Sequence, residues 1–281
     1  MRQLAQNDRR RIDALRLEIC AINHRFLPEL NGCPEIIVSL TSYGKRVGEN
    51  APFAIMSILK QTVLPHRIVL NLDKNAWNDD NIPALLKTLQ LAGLEICYCE
   101  DIGPHTKLLP TLKAFPEAAI ITVDDDIIYE DNLIDDLLST YRASDKKTII
   151  CREAVQIKKD EDGNFVPYSQ SPEAQPGMTS VGYIPYGFRG VLYPPHIFQS
   201  NSIFDLIFRD ICRNADDIWF GLTEYKEHIS IHCAQSKHME LVFVNTVEQY
   251  NPTSATCLYY DNSILGKNDI QFNNVIEHYK L

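Results

Sequence analysis

The side chains best suited to chemistry stand in two acidic groups. Asp124, Asp125 and Asp126 follow directly on an apolar run, 119–123, that reads as a buried strand. Three adjacent carboxylates at the edge of a hydrophobic sheet repel one another unless positive charge sits among them. Hard divalent cations such as Mg2+ or Mn2+ suit oxygen clusters of this kind. The structural alternative is a solvated turn capping the helical pattern that opens at Asp131-Asn132. The second group is Asn214-Ala-Asp-Asp-Ile-Trp219. Asn214 has the type of an N-cap, and Asp216 and Asp217 in a first helical turn are favoured by the helix dipole, so a structural account exists here too.

An alternation of strands and helices from Glu35 onward positions both groups, and it is the signature of a mainly parallel sheet. Strands are expected at 36–40, 67–72, 94–99 and 119–123, with helices at 51–61, 82–91, 107–115 and 133–141 between and after them. The acid triplet therefore ends the fourth strand, and ligands of open α/β sheets bind outside such carboxyl ends. A further strand is expected at 148–151. Beyond it the alternation weakens: a hairpin turn at 158–164 with Asp162-Gly163 at its tip, and a mobile loop at 169–182, rich in Pro, Gly and Ser, where a lid could sit. A strand entering a turn (189–195), helices at 203–211 and 216–225, a strand at 241–245 and a last helix at 270–279 complete the chain. Residues 1–30 read as an amphipathic helix ending near Pro28 and Gly32, with Leu4, Ile12, Leu15, Ile19 and Ile22 as its stripe and Arg9-Arg10-Arg11 beside it. Interleaved Asp8, Asp13 and Glu18 favour a packing helix or oligomer contact over a membrane-docking one.

With 281 residues, 45% of them hydrophobic, the chain is long enough for one large α/β domain. Its 27 basic against 37 acidic residues give a net charge of −10, which argues against nonspecific nucleic-acid binding. No apolar run approaches membrane-spanning length and no signal-peptide segment opens the chain, so the expected compartment is the cytoplasm. The eight cysteines are scattered without zinc-ligand spacing. Cys97 and Cys99, on one face of a strand, read as small core residues in a reducing compartment.

Taken in order, Ile36-Ile-Val-Ser-Leu-Thr-Ser-Tyr43, Ser57-Ile-Leu-Lys-Gln-Thr62, Glu100-Asp-Ile-Gly103, Lys107-Leu-Leu-Pro-Thr-Leu-Lys113, Ile121-Thr-Val-Asp-Asp-Asp126 and Ala215-Asp-Asp-Ile-Trp219 resemble a known family. It is that of the bacterial sugar-nucleotide-dependent glycosyltransferases of the type-A (GT-A) fold, the family-2-like enzymes of capsule and surface polysaccharide synthesis. The resemblance covers roughly residues 35–220 in motif order; the N-terminal helix lies outside it and the tail matches loosely. It implies an α/β GT-A (Rossmann-like) fold, with helices on both faces of a mainly parallel sheet. The organisation implied is an N-terminal extension (1–32), a nucleotide-sugar half (33–152) and an acceptor-side half (153–281).

The resemblance also implies roles. Asp124 meets the donor ribose, and Asp126, with Asp124, holds the Mn2+ or Mg2+ that bridges the donor's phosphates; Asp125 is less defined. Thr41, Ser42, Tyr43 and Arg46 line the nucleotide, Asp73 and Asp101 meet the base or ribose, and Lys107 the diphosphate or ribose. Asp217, or else Asp216, takes the proton from the acceptor hydroxyl, a single displacement that inverts the anomeric centre. Trp219 is a sugar platform or a core residue. Lys107 as a surface lysine, Asp73 as a turn former and Arg46 as a solvated loop arginine are the plain alternatives. Many such enzymes complete the metal site from the tail, where His232, His238 and Asp269 qualify by type. The implied substrates are a nucleotide-diphosphate sugar, UDP-linked by preference, and a saccharide or lipid-linked saccharide. Contact with the inner membrane face and homo-oligomer formation are both compatible with the chain.

Two other classes share features. Phosphatases and phosphotransferases of the haloacid dehalogenase type use an Asp-X-Asp whose first Asp is a nucleophile, on the first strand of the domain. A sugar-nucleotide-binding protein that has lost catalysis would keep the same fold.

Overall fold

The computed structural model describes residues 2–22, 34–235, 241–246, 262 and 265–281, with side chains from residue 9. Strands β1 (Ile36–Thr41), β2 (Arg67–Asp73), β3 (Leu94–Cys99) and β4 (Ala119–Thr122) pair in parallel. They form half of an eight-stranded sheet of order β3-β2-β1-β4-β10-β6-β11-β8. Its other half holds β6 (Ile149–Cys151), β8 (Thr179–Ser180), β10 (Val191–Tyr193) and β11 (Ile231–Cys233). β10 runs antiparallel between β4 and β6, and β8 runs antiparallel at the far edge. Two small antiparallel pairs flank the sheet: β5 (Ile127–Ile128) with β12 (Val242–Phe243), and β7 (Ala154–Gln156) with β9 (Tyr183–Pro185).

Period-two alternation explains why both faces are covered. Ile36, Val38 and Leu40 of β1 and Ile121 of β4 join one apolar cluster, with α3 (Ala51–Leu59), α4 (Ala84–Gln90) and α6 (Leu133–Ala143). Ile37, Val69 and Ile120 point to the other, against α5 (Leu109–Ala114), α7 (Phe208–Ile211), α8 (Asp216–Lys226) and α9 (Lys267–Tyr279). The expected fold class, a mainly parallel α/β sheet with helices on both faces, is the one observed. The chain leaves β1 toward β2 and β3 and then returns to place β4 on β1's other side. That makes the β1/β4 crevice the topological switch point.

Several expectations need correction. The first helix, α1 (Arg2–Cys20), ends well before Pro28, and residues 23–33 lie outside the described residues. Its Leu15 and Ile19 are buried against α3 and α4, so it packs on its own domain. The helix expected at 107–115 begins as a 3-10 turn, His105–Lys107, before α5. The one expected at 203–211 is broken into a 3-10 turn, Ser202–Phe204, and α7, because the Asp205 carboxylate accepts the Ile207 N–H (3.0 Å) in a turn of its own. Residues 169–182 are largely pinned. Ser169 is clasped through its N–H and hydroxyl to Asp269 (2.8 and 2.7 Å), Gly177 N–H donates to Cys233 O (2.7 Å), and β8 joins the main sheet. Cys97 and Cys99 are only half-buried, on an edge strand.

Candidate active site

After β4 the chain enters a turn at Asp125–Asp126 before β5, and this sorts the acid triplet. Asp125 is buried, whereas Asp124 and Asp126 are partly exposed. Asp125 is held across the β1/β4 crevice by the Ser42 hydroxyl and by Arg46, whose Nε lies 3.1 Å from Asp125 Oδ2 and whose Nη2 reaches both Asp125 and Asp126 (3.0 Å to the latter). Arg46 is itself buried. It is a bolt in the triplet rather than a solvated loop residue. The positive charge required among three carboxylates is thus partly supplied by the chain.

Lys107 supplies the rest. Its ammonium lies 2.5 Å from Asp124 Oδ1 and 3.1 Å from Asp216 Oδ2. It therefore joins the strand-end triplet to the acidic pair at the start of α8, two groups far apart in sequence. Burial opposes its charge, yet the carboxylates of Asp124, Asp216 and Asp217 hold it well above the usual lysine range. Lys107 is buried, which removes its reading as a surface lysine.

A buried polar network fixes where Lys107 stands. Ser39 Oγ donates to Lys107 O (2.6 Å) and shares a hydrogen bond with Thr111 Oγ1 (2.7 Å), and Asn71 Nδ2 donates to both hydroxyls (3.2 and 3.0 Å). Ser39 and Asn71 are lone polar side chains in the otherwise apolar runs of β1 and β2. That interruption was the available signal, and its meaning appears only once the 3-10 turn is seen above it. The Ser57-to-Thr62 motif has a similar role. Ser57 Oγ accepts Tyr129 N–H (3.0 Å), Gln61 bonds Ile134 N–H (3.0 Å) and Glu130 O, and Thr62 N–H reaches Asp131 O (2.7 Å). Together they pin the loop that leaves the triplet.

At the start of α8 the two acids differ. Asp216 is buried, and its Oδ2, although in ion-pair range of Lys107, has no hydrogen-bond partner. Asp217 is partly exposed, and its Oδ2 accepts the Gly187 N–H (3.0 Å). Burial, and then the charge of Asp216, push the Asp217 carboxyl up to about 8 despite Lys107. A Cβ on residue 187 would lie 2.6 Å from Asp217 Oδ1 and 3.0 Å from Lys107 Nζ, so only glycine lets this backbone approach. Asn214 is not the cap of α8; Ala215 stands there without a side-chain bond, while Asn214 N–H goes to Gln271 Oε1 (3.0 Å). Trp219 is fully buried with its indole N–H on Ile203 O (3.0 Å), which makes it a core residue and removes the sugar-platform reading.

The remaining candidates divide. Tyr43 is 42% exposed beside Arg46, its ring 5.6 Å from the guanidinium, and is open to a flat ligand. Thr41 Oγ1 is turned to Asn71 O (2.9 Å). Asp73 and Asp101 close turns of their own, onto Asn75 N–H (2.9 Å) and Gly103 N–H (2.8 Å). Asp269 clasps Ser169, His232 Nδ1 pairs with Thr179 Oγ1 (2.8 Å), and His238 lies outside the described residues.

For a divalent cation the donor chemistry fits in part. Asp124 and Asp126 offer oxygens on the open side. Burial and the charges of Asp125 and Asp124 push the Asp126 carboxyl up to about 7 against Arg46, so added positive charge is favoured there. Among the described residues no group of three or more His, Cys, Asp or Glu could hold a metal ion, so further ligands have to come from substrate and water.

No protein-family model matches the chain, and no curated protein matches it. Among solved structures it is similar to 4-diphosphocytidyl-2C-methyl-D-erythritol synthase from Anaerococcus prevotii, at 13% identity over 67% of this chain and 84% of that one, TM-score 0.42. It is also similar to a TarS fragment from S. aureus (18%, 70% and 57%, TM-score 0.44). A third is the mannosyltransferase PcManGT from Pyrobaculum calidifontis in complex with GDP-Man and Mn2+ (14%, 53% and 46%, TM-score 0.33).

Proposed function

We propose that the chain is a metal-dependent, inverting glycosyltransferase that moves a sugar from a nucleotide diphosphate to a saccharide hydroxyl, in surface-polysaccharide synthesis. One observation carries the reading: Lys107 bridges Asp124 and Asp216, so the strand-end acids and the α8 acids line one crevice. In this reading residues 33–152 serve the donor and 153–281 the acceptor.

Asp124 and Asp126 are the residues to hold Mn2+ or Mg2+, which when bound supplies charge compensation to the diphosphate leaving group. Lys107 and Arg46 add fixed cations on the same side, and Tyr43 offers a face to the base. Ser42 and Asp125 act at one remove, by holding Arg46. Asp217 is the base, because it is the reachable member of its pair and Gly187 N–H orients it. As the acceptor oxygen bonds to the anomeric carbon, its proton passes to the Asp217 carboxylate and the bond to the diphosphate oxygen breaks on the opposite face. One such displacement inverts the centre. Asp216, with one oxygen unbonded, keeps Lys107 in place and raises Asp217's basicity.

Isothermal titration with UDP and GDP sugars, with Mn2+ and then with chelator, tests the reading. Metal-dependent binding of one nucleotide class is the expected result, and silence across the whole panel would overturn it. The dehalogenase-type alternative asks for its Asp-X-Asp on a first strand, whereas β4 follows three others.

A further inference from the structure

Next to Asp217 lies a surface that the transfer step leaves unused. Tyr186 and Phe188 flank Gly187, and their partly exposed rings stack with centroids 5.2 Å apart and planes at 24°. The same Gly187 N–H that holds Asp217 fixes this ring pair beside the carboxylate. Tyr186 Oη donates to Glu173 Oε1 (3.1 Å), and Glu173 is exposed, with no lysine or arginine paired to it among the described residues. Tyr168, next to the Ser169–Asp269 clasp, is partly buried with its ring 5.9 Å from Phe272, and burial, then the charge of Asp217, push its phenol upward. Phe188 packs on one core cluster and Tyr186 on the other, and the part of each ring left uncovered faces solvent beside a candidate base. A sugar ring offers a flat C–H face to the rings and hydroxyls to phenol and carboxylate at the rim.

We infer that Tyr186 and Phe188, rimmed by Glu173 and Tyr168, form the acceptor subsite, and that it takes a neutral saccharide and repels one bearing a carboxylate or phosphate. This rests on the transferase reading above. Discrimination comes from Glu173, the exposed carboxylate at the rim, where an added anion meets like charge. Arg189, which lies over Phe188 (5.7 Å), already has its charge met by Glu153 at 2.8 Å.

The test is saturation-transfer difference NMR on the full chain loaded with UDP and Mg2+. The probes are a panel of methyl hexopyranosides and the matching methyl uronides, with UDP affinity measured alongside by calorimetry. The expected result is transfer to a neutral glycoside and little to its uronide. Tyr186→Ala and Phe188→Ala should each weaken the glycoside about tenfold, a loss of about 1.4 kcal/mol, with UDP affinity unchanged. Glu173→Gln should admit the uronide. If UDP binds but no glycoside does, or if glycoside binding ignores both ring variants, or if uronide and glycoside bind equally, the acceptor assignment falls and the donor reading stands. If wild type does not bind UDP, both fall.

Discussion

Asp217 and Lys107 carry opposite costs that a substitution can separate. Because the Asp217 carboxyl titrates near 8 when folded, and a free aspartate near ~3.9, stability is lost as pH rises between those values. Asp217→Asn keeps an acceptor for the Gly187 N–H and removes that loss. Its thermal midpoint should exceed wild type by more at pH 8 than at pH 5, at roughly 2–4 °C per kcal/mol recovered, while turnover falls ~10²–10⁴-fold. Calorimetry at the two pH values and an initial-rate assay check both halves. Lys107→Ala should behave the other way. It leaves Asp124 and Asp216 uncompensated in a buried setting and should cost about 3–5 kcal/mol by denaturant unfolding. Equal stability would show that the bridge is incidental.

At the scale of the elements, the strands and the acid triplet were legible because an apolar run stopped abruptly in charge, which composition alone displays. Less visible was what aims the site. Ser39 and Asn71 look like imperfections in β1 and β2 until the His105–Lys107 turn lies over them. Ser39→Ala should orphan part of that network, cost ~1–3 kcal/mol, and weaken nucleotide-diphosphate binding by letting Lys107 drift. The break after Phe204 was hidden because one carboxylate, Asp205, outvotes a helical apolar spacing. β8 was hidden because two polar residues carry no periodic signal. β10's direction follows from the turn before it. Gly190 has φ +87, and a side chain there would press within 2.8 Å of Leu133. Gly187→Ala belongs to this scale too: its Cβ displaces the Asp217 carboxylate, and a ~1 Å misplacement costs on the order of 10²-fold in kcat, with the fold retained by circular dichroism.

Across the whole molecule, the proposed site lies where the sheet changes winding direction, and electrostatic strain gathers there too. Glu224, fully buried on α8 with neither carboxyl oxygen bonded, is pushed well above the usual carboxylate range by burial and then by the charge of Asp217. With Asp217, Asp126 and Asp136 it makes four carboxyls raised above their free values, each withdrawing stability as pH climbs. The thermal midpoint should therefore fall between pH 5 and pH 8, and an Asp217→Asn, Glu224→Gln double variant should flatten that fall. No helix among the described residues is long and apolar enough to cross a membrane. The N-terminal helix is bound to its own domain by Leu15, Ile19 and a Glu18–Lys60 ion pair (2.9 Å).

The most direct measurement is the position of manganese, by anomalous scattering, in a crystal soaked with UDP and Mn2+. A peak beside Asp124 and Asp126 and the diphosphate, with Lys107 still held by Asp216 in the same crevice, is the predicted result. Manganese and UDP bound away from the β1/β4 crevice would contradict the account.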